Sequence, residues 1–155
     1  MAKFFGRFEH SLDLKGRVIL PSKFRPEFLE DGGFLSQFHE GCLALWTAEQ
    51  FNREMQVREE RAAESRDLRN LARVWASGST KVDVDRQGRM FIPLHLREFA
   101  GLESDVLVHG AIDRVELWSP DNWQIRIKPM EARLIHGMDE QHDVGRRHEV
   151  EETFS

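Results

Sequence analysis

The sequence has a single cysteine, no apolar run near the ~20 residues a membrane helix needs, and none of the short patterns that mark a hydrolytic centre. Each absence removes a class of protein. Cys42 cannot close an internal disulfide, and its place in "CLALW" reads as a small buried hydrophobe rather than a nucleophile. The opening "MAKFFGRFEHSL" lacks the apolar core and small-residue cleavage site of a secretory signal, so the expected location is the cytoplasm, with no membrane partner. No H-E-x-x-H, cysteine cluster, G-x-S-x-G elbow or phosphate-cradling glycine loop is present. His136, His142 and His148 recur every six residues, which spreads them around a helix instead of gathering them on one face. The expectation is a protein without metal, cofactor or catalysis.

What is present is an ordinary soluble balance of 32% charged and 40% hydrophobic residues in 155, with a net charge of −5. The total hides an uneven spread. Residues 1–25 hold six bases and two acids, a net +4, while residues 131–155 hold three Arg and seven acids, a net −4. A basic end and an acidic tail lie within an unremarkable total.

The organising fact is an internal repeat. "SLDLKGRVILPSKFR" at residues 11–25 returns as "DVDRQGRMFIPLHLR" at residues 83–97, each with Asp, Gly-Arg, an apolar triplet, Pro and a further Arg. The offset is 72 throughout: Asp13 falls on Asp85, Arg17 on Arg89, Pro21 on Pro93 and Arg25 on Arg97. It also carries Gly6 to Gly78, Leu35 to Leu107, Leu45 to Leu117 and Trp46 to Trp118. Alternation of apolar and polar residues before each motif, and the triplets "VIL" and "MFI" after it, predict two β-hairpins. Their two-residue loops would be Lys15-Gly16 and Gln87-Gly88, with Gly supplying positive φ. Pro21 and Pro93 suit the first position of short helices, the first cut short by Pro26.

"FLSQF" with "CLALW", and "VLVHG" with "VELW", predict a second strand pair in each half. Thr47 and Ser119 are helix N-cap candidates, each with an aromatic residue before it and another at the fourth helical position (Trp46 and Phe51; Trp118 and Trp123). Between the halves, Ala48 to Ala76 has no Pro or Gly and predicts helix, broken at Ser65, with Leu68, Leu71, Ala72 and Trp75 forming an apolar face within or between subunits. Pro129 should end or kink the last helix, and residues 137–155 read as an acidic disordered tail. The division expected is a first repeat with linker helices over 4–76, a second repeat with its helix over 77–136, and the tail.

An Asp–Arg pair across a turn can be no more than an exposed bridge worth at most about 1 kcal/mol. Duplication argues for more. Turn geometry demands Gly in both copies, but nothing about a solvated position demands Arg in both. An Asp that holds the Arg side chain upright pre-organises its planar fork for guanine O6 and N7 or for phosphate. Two such turns about a pseudo-twofold axis suit a duplex.

The two D-x-x-G-R motifs, "DLKGRVILPSKFR" and "DRQGRMFIPLHLREFAGL", followed by "LALWTAEQF" and "VELWSPDNW", resemble the MraZ family of transcriptional regulators of the bacterial division and cell-wall gene cluster. The likeness covers residues 4 to about 136. It implies an α+β fold of tandem pseudo-twofold SpoVT/AbrB-like repeats, forming a swapped-hairpin β-barrel unit with flanking helices and assembling into a homo-oligomeric ring. It implies a nucleoid-associated protein, most simply a repressor, that binds double-stranded DNA at G-rich direct repeats. The DNA-binding set it implies is Arg17 and Arg89, supported by Lys15 and held by Asp13, Asp85, Gly16 and Gly88, with no cofactor. Two other readings stay open: an AbrB-like antitoxin that binds a toxin through its helices, and a metal-dependent hydrolase.

Overall fold

The computed structural model describes residues 1–137, and so the expected tail from 138 onward lies outside the described residues. The described residues form two units, divided between residues 122 and 123. In the first unit, β1 (Arg7–Ser11) runs antiparallel to β7 (Asp105–Gly110), and β3 (Gly33–Gln37) lies between β4 (Leu43–Trp46) and β5 (Thr80–Val82). Strand β8 (Val115–Trp118) joins β7 to β4, so a six-stranded antiparallel sheet has the order β1-β7-β8-β4-β3-β5. Exchanging the two sequence copies turns β1 into β5, β7 into β3 and β8 into β4. The order then reads the same from either end, which makes the sequence repeat a pseudo-twofold in space.

Strands β2 (Arg17–Ile19) and β6 (Arg89–Phe91) form a separate two-stranded ribbon. The expected hairpin turns are present, but their arms do not pair mainly with each other. The arms around each motif find their main partners in the other copy: β1 on β7, β5 on β3, and β2 on β6. Burial supplies the reason. Register places Val18 opposite Met90, and these inward side chains, 1% and 0% exposed, enter one core with Leu35, Leu45, Val108 and Leu117 from both copies. A three-residue strand paired only with its own arm would bury one side chain; crossing over joins two half-cores into one.

Strands β4 and β8 are buried along their whole length because both faces of the sheet are covered there. Leu43 and Leu45 face the shared core, while Ala44 and Trp46 face a second cluster with Phe51 and Trp75. That second face is capped by α1 (Ala48–Ala62) and α2 (Arg66–Gly78), which break at Ser65 as the sequence predicts. Each start is capped: the Gln50 N–H donates to Thr47 Oγ1 at 3.3 Å and the Leu68 N–H to Ser65 Oγ at 3.1 Å. Phe51 stacks between Phe34 and Trp75, with ring centroids 4.3 and 5.0 Å away. Trp75 is therefore intramolecular, whereas Leu71 on the same helix is 58% exposed. After the motifs, a 3-10 turn (Arg25–Glu27) in the first copy answers α3 (Leu94–Ala100) in the second; Pro93 stands at the N-cap of α3, one place earlier than expected.

Ser119 accepts the Asn122 N–H at 3.1 Å and opens a short helix, α4 (Pro120–Asn122). In the second unit a π-helical turn spans Trp123–Ile127, the Lys128 N–H donates to Trp123 O at 2.9 Å, and helix resumes over 130–137. Pro129, with no N–H to give, sits at that break, as the sequence predicts.

Two outcomes follow from this packing. Trp75→Ala should lower stability by about 3 kcal/mol or more, and Leu71→Ala by no more than about 0.5 kcal/mol, measured by chemical denaturation; equal effects would mean that the helix pair does not seat on the sheet as described. His109 in β7 is 5% exposed, and burial, aided by the nearby Arg7 charge, pushes its pKa down to about 4 from 6.5. Above pH 6.5 both folded and unfolded states hold it neutral. As pH falls from 6.5 towards 4 the unfolded chain takes up a proton that the folded one refuses, and stability drops. Thermal melting across that window should decline more steeply for the parent chain than for His109→Gln.

Candidate nucleic-acid interface

The two motif turns have the same atomic plan. In the first, the Asp13 N–H donates to Arg17 O at 2.8 Å and the Gly16 N–H to Asp13 O at 3.0 Å. In the second, the Asp85 N–H donates to Arg89 O at 3.0 Å and the Gly88 N–H to Asp85 O at 2.9 Å. The loop thus has three residues, Leu14-Lys15-Gly16 or Arg86-Gln87-Gly88, rather than the two expected, with Gly at positive φ of +78° and +82°. This is the bulged turn in which the left-handed residue comes last.

Each aspartate is the hub of its turn. Asp13 Oδ1 accepts the N–H groups of Lys15 and Arg17, both at 2.9 Å, and Oδ2 accepts Arg17 Nε at 2.8 Å. Asp85 repeats this with Gln87 at 2.9 Å, the Arg89 N–H at 2.9 Å and Arg89 Nε at 2.8 Å. These bonds, the Arg backbone N–H foremost, hold both carboxyls below the usual carboxylate range, so they remain ionised at any pH near neutral. The consequence lies in the arginines. Nε is committed to Asp, which fixes the plane of the guanidinium and leaves its Nη edge out of that bond. The Arg17 and Arg89 side chains remain 29% and 34% exposed.

The ribbon joins the two turns, one at each of its ends. Arg17 is opposite Phe91 and Ile19 opposite Arg89, so the two arginines are diagonal neighbours on one face, about 7–8 Å apart at Cα. That separation is roughly two base-pair rises of a duplex. Of the expected site residues, Asp13, Lys15, Gly16 and Arg17 form one turn and Asp85, Gly88 and Arg89 the other; the turns stand at opposite ends of the ribbon, and only Arg17 and Arg89 are neighbours across it.

Three arginines extend this set. Arg86 occupies the tip position of Leu14, so each exposed tip carries one base: Leu14-Lys15 in the first copy and Arg86-Gln87 in the second. The constant offset pairs Leu14 with Arg86 and would have revealed it. Arg25 and Arg97, visible in the repeat but given no task, hold the turns from the opposite copy. Arg25 Nε donates to Leu20 O at 2.7 Å and its guanidinium lies where a side chain on Gly88 would have to go. Arg97 Nε donates to Ile92 O at 2.9 Å, with its Cζ 3.0 Å from where a Cβ on Gly16 would stand. The backbone crosses in the same sense: the Leu20 N–H donates to Gly88 O at 2.7 Å and the Ile92 N–H to Gly16 O at 2.9 Å. Gly16 and Gly88 are thus required twice, for positive φ and for close approach.

Elsewhere, burial pushes the Cys42 thiol up, which makes it inert as a nucleophile, and its sulfur lies 3.5 Å from His39 O. Among the described residues no three His, Cys, Asp or Glu side chains gather to hold a metal ion, and no helix is long and apolar enough to cross a membrane. His142 and His148 lie outside the described residues.

A family model described as "MraZ protein, putative antitoxin-like" matches the chain twice, over residues 4–71 and 75–143. A transcriptional regulator MraZ of Acetivibrio thermocellus is 42% identical over 122 residues, which is 78% of this chain and 84% of the relative. One from Deinococcus radiodurans is 40% identical over 128 residues, 83% and 89% of the two chains. One from a Nocardioides species is 36% identical over 138 residues, 89% and 94% of the two chains. These relatives carry the name of a regulator and not of an enzyme. With both sequence copies matched and the likeness spanning most of each chain, this protein is a member of the MraZ family.

Proposed function

We propose that the chain is a sequence-specific, double-stranded-DNA-binding transcriptional regulator that reads G-rich sites through Arg17 and Arg89. The observation that carries this reading is the pair of Asp-anchored arginines on one face of the β2–β6 ribbon. A two-stranded ribbon fits the major groove, and a guanidinium with its Nη edge presented matches guanine O6 and N7. Lys15 and Arg86 at the tips supply phosphate contacts, and a net charge of −5 is no obstacle when the bases are concentrated there. The names of the relatives support the regulatory role. The exchanged strands support a swapped-hairpin β-barrel unit built from the 4–76 and 77–136 repeats. A ring-shaped homo-oligomer repeating this unit would turn weak contacts into avidity on repeated sites, and repression of its gene cluster, in the cytoplasm at the nucleoid, is the simplest outcome.

A second reading, an antitoxin that docks a toxin on its helices, is favoured by one feature. Between α1, α2 and the edge strand β5 lies a groove of about 450 Å3 lined by Phe34, Phe51, Met55 and Trp75. Trp75 Nε1 and Arg58 Nε, both buried, lack hydrogen-bond partners there. Identification of a stoichiometric, growth-arresting protein in the native complex would favour it.

For the leading reading, Arg17→Ala and Arg89→Ala should each weaken operator binding by about 1–3 kcal/mol and relax specificity at one position, with melting temperature unchanged. Lys15→Ala and Arg86→Ala should weaken all duplexes alike and lower the salt slope by about one each. Fluorescence titration across salt concentrations makes the measurement. Unchanged affinity in a folded double Arg variant removes the ribbon from the site.

A further inference from the structure

The ribbon face holds more than the two arginines. Register puts Phe91 beside Arg17 and Ile19 beside Arg89, and the residues between them, Val18 and Met90, point into the core. The outward face is therefore a four-cornered patch, with arginines on one diagonal and Ile19 and Phe91 on the other. Ile19 is 42% exposed and Phe91 50% exposed. They occupy equivalent positions in the two copies, so a large apolar side chain faces solvent twice beside a charged one. A ribbon that met only water would gain nothing from either.

Resting on the DNA reading above, we propose that Ile19 and Phe91 are specificity residues that pack on the 5-methyl groups of thymines next to the guanines held by the arginines. Directly opposite residues in a ribbon stand about 5 Å apart at Cβ, close enough for the apolar partner of each arginine to reach the neighbouring base pair. In the major groove the one apolar group that a base presents is the thymine methyl. The arginine bases bring the acidic duplex to this face, and burying a methyl against Ile19 or Phe91 then discriminates thymine from cytosine at that step. The recognised unit is a guanine with an adjoining thymine, once for each arginine.

The test uses the full chain and a duplex selected by it from a random pool. Each thymine in the selected duplex is replaced singly by deoxyuridine, which removes the methyl and keeps every hydrogen-bonding group. Wild-type affinity should fall about fourfold at one thymine per arginine contact and not elsewhere, as expected for losing one buried methyl-sized group. In Phe91→Ala and Ile19→Ala, folded and still DNA-binding, the loss at the corresponding thymine should vanish. Uniform indifference to deoxyuridine, or the same sensitivity kept in both variants, overturns the proposal while leaving the arginine reading intact. So does dissociation of the variants into smaller species with deoxyuridine sensitivity unchanged, which would assign the apolar pair to a contact between copies. If the pool yields no preferred duplex, the DNA reading falls and this proposal with it.

Discussion

Everything at the candidate site depends on the backbone pairing of β2 with β6. Neither strand is long enough to stand on its own arm, and each carries one inward side chain, Val18 or Met90, that is buried only when the other is beside it. The pairing joins the two half-cores and fixes the diagonal of Arg17 and Arg89. It also brings Gly16 under Arg97 and Gly88 under Arg25. Packing and the placement of the candidate site share one set of backbone hydrogen bonds.

The division of labour within each turn follows from charge chemistry. The aspartate accepts three N–H bonds and remains ionised, so it can hold an arginine in one plane without neutralising its outward edge. A free arginine on a surface strand would surrender rotamer entropy on binding; here that entropy is surrendered on folding. The arginines eight residues further on do a different job with the same group. Arg25 and Arg97 spend Nε on backbone carbonyls and clamp the neighbouring copy's turn.

Much of this was legible in the sequence because the repeat marks it twice. The 72-residue offset locates the strands, Gly16 and Gly88, the Asp–Arg pairs, and the caps at Thr47 and Ser119. Strand partners were not legible. Alternation tells which face a residue occupies, but self-paired and exchanged hairpins have identical local patterns, and only the burial of Val18 against Met90 distinguishes them. The turn length was misjudged because Gly at positive φ serves two- and three-residue loops alike. Trp75 and Leu71 share a helix face by spacing, yet only Trp75 has Phe51 to stack on. Arg86 is hidden because its partner in the first copy, Leu14, carries no charge, so the base at the tip changes position between the copies.

That the two turns belong to one chain has a consequence for the kind of message the protein can read. A ribbon made by two identical subunits looks the same from either end and is matched to palindromes. In this ribbon one end carries Leu14-Lys15 and Phe91, the other Arg86-Gln87 and Ile19. The two copies differ in sequence, so the ribbon has a front and a back. A surface with direction can be laid head to tail along DNA, and the order of its sites then carries information that a symmetric reader would discard.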